Sequence, residues 1–128
     1  MSARYIPSMV RADGTFCVIA KFKTAEEAAA LHDPVTDWCK QWVANHQHWQ
    51  RTAEEINIDK NGPWDYFAIF HGPPYVIKAE DRELWVRLDA RVYSYWWRDW
   101  FAPMMVGLKS AFPTLKADGK LSFDCDEV

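Results

Sequence analysis

The sequence predicts an α+β domain: an antiparallel sheet made of a hairpin, a three-stranded meander and a C-terminal hairpin, with about three helices packed on one face. Three observations predict it. Apolar residues alternate with polar ones in several short runs, the period of a half-buried strand. Elsewhere large aromatic residues recur every three or four positions, the spacing of one helical face. Clusters of Gly, Pro, Asn and Asp separate the two kinds of segment. At 128 residues with 49% hydrophobic and 26% charged side chains, the chain has the size and composition of one globular domain over residues 1–128.

The first hairpin is expected around Asp13-Gly14, and a similar one around Asp118-Gly119, because a two-residue turn needs positive φ, which glycine adopts freely. After the first turn Phe16, Val18, Ala20 and Phe22 alternate with Cys17, Ile19 and Lys21, which reads as a strand. Thr24 stands three residues before Glu27, the spacing of a capping box, so a short helix should cover residues 25–31 and stop before Pro34. A second helix should run from residue 34 to about 55, with Val35, Trp38, Cys39, Trp42, Val43, His46 and Trp49 along one stripe.

The run Asp59-Lys60-Asn61-Gly62-Pro63 is a loop signal. Beyond it three strands are expected: residues 65–71, a bend at Gly72-Pro73-Pro74, residues 75–78, a turn through Glu80-Asp81-Arg82, and residues 84–93. In the last of these Leu84, Val86, Leu88, Ala90 and Val92 share one face, and Trp85, Arg87, Asp89, Arg91 and Tyr93 share the other. Ser94 can cap a third helix whose stripe is Trp96, Trp97, Trp100, Phe101, Met104, Met105, Leu108 and Phe112. Pro103 should kink that helix or divide it in two, and Pro113 should end it.

Composition excludes more than it identifies. A formal charge of −3 supplies no broad positive field for nucleic acid, and Arg82, Arg87, Arg91, Arg98 and Lys109 are interleaved with Glu80, Asp81, Glu83, Asp89 and Asp99. No phosphate-binding glycine loop, nucleophile elbow or HExxH helix is present among the five glycines and four histidines. Residues 1–10 lack the pattern of a secretion signal, and no apolar run approaches the roughly 20 residues that span a bilayer. A cytoplasmic location is therefore expected. Cys17, Cys39 and Cys125 are widely spaced and read as buried thiols rather than as disulfide or metal-binding pairs.

His46 and His48 would diverge on a helix and cannot share a metal, so His46 reads as a histidine of the apolar stripe and His48 as a surface residue. Neither a metal nor a cofactor is expected. Most of the eight tryptophans lie on helical stripes and serve to bury area. Trp85 is an exception, since it shares its strand face with Arg87, Asp89, Arg91 and Tyr93, and Trp, Tyr and Arg are enriched at interaction hot spots. A plain ion-paired sheet face is the competing reading of those residues.

The expected function is a noncatalytic accessory protein, of inhibitor, immunity or adaptor type, that binds another macromolecule through this aromatic and arginine face. A protein partner fits better than a small molecule. The alternative is a small-molecule-binding domain or small enzyme with an apolar pocket between the sheet and the last helix, lined by Trp97, Trp100, Met104 and Met105 with His71 or Asp89 as its polar group. A homodimer closed by the aromatic surface is compatible with either.

Overall fold

The computed structural model describes residues 10–51, 66–92 and 97–127. The order of elements is β1 (Val10–Lys21), α1 (Ala25–Asn45), β2 (His48–Arg51), β3 (Tyr66–Phe70), β4 (Tyr75–Glu80), β5 (Glu83–Val92), α2 (Trp97–Ala111) and β6 (Lys116–Glu127). The class is α+β, with the strands in one antiparallel sheet of order β2-β3-β5-β1-β6 and β4 paired to β5 off that path. Two helices are described rather than the expected three or so, because the two predicted N-terminal helices are one.

Helix α1 starts as its sequence predicts. Thr24 has extended backbone, its hydroxyl oxygen accepts the Glu27 N–H at 3.0 Å, and the Glu27 carboxylate accepts the Lys23 N–H at 3.0 Å. Pro34 does not end it. Ala28, Leu31, Val35, Cys39 and Val43 keep their apolar phase through the proline and pack on the core. Pro34 and Ala30, whose carbonyl loses its helical donor, are exposed, so water can satisfy that carbonyl. Burial of the continuous stripe outweighs one missing bond.

The helix ends at Asn45, well before the expected residue 55. His46 caps it by donating its backbone N–H to Val43 O at 3.0 Å. Gln47 then joins the sheet, its side-chain Nε2 donating to Phe70 O at 2.9 Å. Trp49, assigned by spacing to the helical stripe, lies on β2 instead, where it still meets Trp42 edge to face at 4.9 Å.

Both Asp-Gly turns are corrected. Asp13-Gly14 lies inside β1 and Asp118-Gly119 inside β6, and the two strands pair without a break from Val10↔Glu127 to Lys21↔Lys116. Gly14 stands between Ala90 and Phe123 in the ladder. A local turn preference is worth little against twelve-residue strands whose backbone groups are satisfied by neighbours; β1 has such neighbours on both edges.

The meander is corrected as well. β3 and β4 do not pair with each other; they follow one another along the same edge of β5, from Ala68↔Val92 to Phe70↔Ala90 and then from Tyr75↔Arg87 to Glu80↔Glu83. Residues 71–74 step the chain along that edge rather than reversing it. His71 N–H donates to Asp89 O at 3.0 Å, Gly72 takes φ 117, and Pro73 and Pro74 carry no donor to continue the ladder. The hairpin expected at Asp81-Arg82 is present between β4 and β5.

Helix α2 passes through Pro103 as one element and ends before Pro113. The core lies between the helices and the inner sheet face: Phe101, Met104 and Leu108 from α2, Val35, Cys39 and Val43 from α1, and Phe16, Val18, Ala20, Phe70, Leu84, Val86, Leu88 and Ala90 from the sheet. Phe16 stacks on Phe101 with ring centroids 4.5 Å apart and an interplanar angle of 7°.

Candidate functional site

The two faces of β5 divide as alternation requires. Leu84, Val86, Leu88 and Ala90 are buried on the inner face, whereas Glu83, Trp85, Arg87, Asp89 and Arg91 are half-buried on the outer one. Across the ladder from Trp85 and Arg87 stand Ile19 and Cys17 of β1, and both are buried although they lie on the same outer side.

On the other edge of β5 a bulge decides which residues join the face. The β4 register shifts between Val76 and Lys78, so Lys78 is opposite Trp85 while Tyr75, three residues earlier, is opposite Arg87. In an unbroken strand residues three apart point to opposite sides. The extra residue, Ile77, brings both to the outer side, the re-aiming that bulges commonly perform.

Two interlocked groups result. Lys78 Nζ lies 5.0 Å from the centre of the Trp85 ring, 3.4 Å from Glu83 Oε1 and 3.6 Å from Glu80 Oε1, while Trp85 Nε1 donates to Glu83 Oε1. These contacts hold the Glu83 carboxyl below its ordinary value of 4.5, the Trp85 hydrogen bond contributing most and Lys78 next among the lowering contacts. In the second group Arg87 Nε donates to Asp89 Oδ1 at 3.1 Å, its guanidinium lies 5.9 Å from the centre of the Tyr75 ring, and the Tyr75 hydroxyl donates to Asp89 Oδ2 at 3.4 Å. The Asp89 hydrogen bond pushes Arg87 further up from its already high value. Each aromatic ring thus carries a cation.

The structure therefore brings Trp85, Arg87, Asp89 and Arg91 onto one face and adds Tyr75, Lys78 and Glu83. Tyr75, Val76 and Ile77 are exposed at 44%, 42% and 49%, which makes the adjoining edge the most apolar described surface around the site. Sequence reasoning missed Tyr75 and Lys78 because the bulge is invisible to alternation. Tyr93 lies outside the described residues. A shallow concavity opens at the β4–β5 turn among Glu80, Asp81, Arg82 and Glu83.

The residues named for an apolar pocket are more scattered. Met104 is fully buried in the core, Met105 is partly buried against it, and His71 is exposed beside β5. Trp97 and Trp100 belong to α2, but their side chains lie outside the described set. His46 stacks on Trp42 with centroids 3.9 Å apart, and its Nδ1 lies 2.7 Å from Trp42 O, so that nitrogen carries the proton and donates. Cys17 and Cys39 are buried, and burial pushes the Cys39 thiol up to about 12. Cys125 falls in β6 with its side chain outside the described set. Among the described residues no three His, Cys, Asp or Glu side chains are grouped to hold a metal ion, and no helix is long and apolar enough to cross a membrane.

No protein-family model, curated protein or solved structure matches the chain.

Proposed function

We propose that this chain is a noncatalytic accessory protein, of inhibitor, immunity or adaptor type, which works in the cytoplasm and binds a protein partner through the outer face of β4 and β5. The observation that supports this reading is the bulge at Ile77, which gathers Tyr75 and Lys78 beside Trp85 and Arg87 on a sheet face that no described helix covers. Trp, Tyr and Arg are the side chains that most often anchor a protein interface. Cations resting on the Trp85 and Tyr75 rings hold both aromatics in place, so less side-chain freedom is lost when a partner docks. Acidic residues interleaved with the basic ones make nucleic acid the poorer partner.

The test is affinity capture from a lysate of the source cell or its competitors, read by native mass spectrometry, with wild type beside Trp85→Ala and Arg87→Ala. A stoichiometric protein captured by wild type and lost with both variants supports the reading. Equal capture by all three, or a retained small molecule and no protein, overturns it; the latter directs attention to α2 and to assays of enzymatic activity.

A further inference from the structure

We propose that the outer edge of β6 pairs antiparallel with the same edge of a second copy of this chain, joining two sheets into one about a two-fold axis. β6 is last in the sheet order, and no other described strand pairs with its far side. It is twelve residues long and follows β1 residue for residue from Lys116↔Lys21 to Glu127↔Val10 with no register shift. It contains no proline. Such a strand leaves a row of backbone donors and acceptors open to another strand.

The other edge strands among those described are shorter. β4 is six residues long, follows Pro73 and Pro74, and is bulged at Ile77, which are the devices that blunt an edge. β2 is only four residues long. Among the described strands, two edges are thus short or bulged, and the longest is regular.

Charge selects the occupant. The first half of β6 holds Lys116, Asp118 and Lys120, two positive charges and one negative, net +1; the second half holds Asp124, Asp126 and Glu127, net −3. An antiparallel second copy sets the basic half of each strand along the acidic half of the other, and opposite charges across a ladder are favourable. A two-fold axis perpendicular to the sheet keeps both helical layers on one side and requires residues of equal parity to face each other. A register centred on Leu121 meets this condition. It sets Lys116 opposite the second copy's Asp126 and Lys120 opposite its Ser122, with its Asp124 on the diagonal; Asp118 opposite Asp124 is the like-charge match, and Lys116 and Lys120 flank it. The pairing also leaves the Trp85 and Arg87 faces of both copies on the same side, so a dimer would present that face twice.

Sedimentation velocity of the full chain over a concentration series tests the proposal. The expected result is a reversible dimer, weakened at least about tenfold, equivalent to ~1.4 kcal/mol, in a Lys116→Glu, Lys120→Glu double variant and likewise in Asp126→Lys. Mixing the two variants should restore a one-to-one heterodimer in native mass spectrometry. Circular dichroism checks that each variant folds, and hydrogen exchange of the wild type supplies a readout without mutation: β6 amides should gain protection as concentration rises. The proposal is overturned by a wild type that stays monomeric at high micromolar concentration, by variants that dimerise as wild type does, or by a mixture that forms no heterodimer. It is equally overturned if a dimer appears only after residues 1–9 are removed, which would make the chain's own N-terminal segment the occupant.

Discussion

The inner and outer faces of β5 alternate along one ten-residue strand and are held by different forces. On the inner face Leu84, Val86, Leu88 and Ala90 are at most 1% exposed and touch the aromatic core, so their contribution is apolar area removed from water. On the outer face the contacts are two cations on aromatic rings and a few ion pairs between half-exposed groups. Exposed contacts of either kind contribute about 1 kcal/mol or less. The difference teaches where the sequence is free to vary for binding: the outer face can change its chemistry without unfolding the protein, and the inner face cannot.

The largest expected effect lies on the inner side. Phe101 is fully buried, stacks on Phe16 and meets Phe70 at 6.1 Å. Phe101→Ala should remove about 3–5 kcal/mol of stability, read as a lower urea midpoint; a loss below about 1 kcal/mol would mean that Phe101 does not organise this core. Next is the contact between helices. A Cβ at Gly107 would sit 3.1 and 3.3 Å from two carbons of the Trp38 ring, so Gly107→Leu must displace Trp38 and should cost roughly 1–3 kcal/mol. A neutral result would show that α1 and α2 are less closely seated than this.

The same contrast explains what could be read in advance. The alternation of β5, the apolar phase of α1 and the Thr24–Glu27 cap are local patterns, each visible within a few turns or residues, and each is present. What was not legible depends on partners distant in sequence. Asp13-Gly14 and Asp118-Gly119 carry a true turn preference, yet they lie in strands paired over their whole length. Pro34 reads as a helix end, and Pro103 as a kink or a division, because the sequence does not show that packing continues on both sides of them. Of the candidate face, Trp85, Arg87, Asp89 and Arg91 follow from period two alone. Tyr75 and Lys78 do not, since one bulged residue changes the parity of β4.

Smaller effects belong to the outer face. Arg87→Ala should leave the urea midpoint close to that of wild type, because the Arg87 and Asp89 side chains are 41% and 32% exposed and solvent screens their pair. A loss comparable with that of Phe101→Ala would erase the distinction between the faces.

The finest probe is pH. Glu83 is held below its ordinary value of 4.5 by hydrogen bonds from Trp85 and Lys78, so its carboxylate is stabilised by folding. A group depressed in the folded state contributes stability above its unfolded value, and that contribution fades as pH falls through the lower folded value. Glu83→Gln cannot titrate. The stability difference between wild type and Glu83→Gln should therefore be constant near neutral pH and shrink below about pH 4.5, as urea midpoints measured at successive pH values would show. A difference that stays flat into acid would mean that the Trp85 and Lys78 contacts do not depend on the Glu83 charge, and that hydrogen-bond geometry rather than electrostatics fixes Trp85 on the outer face.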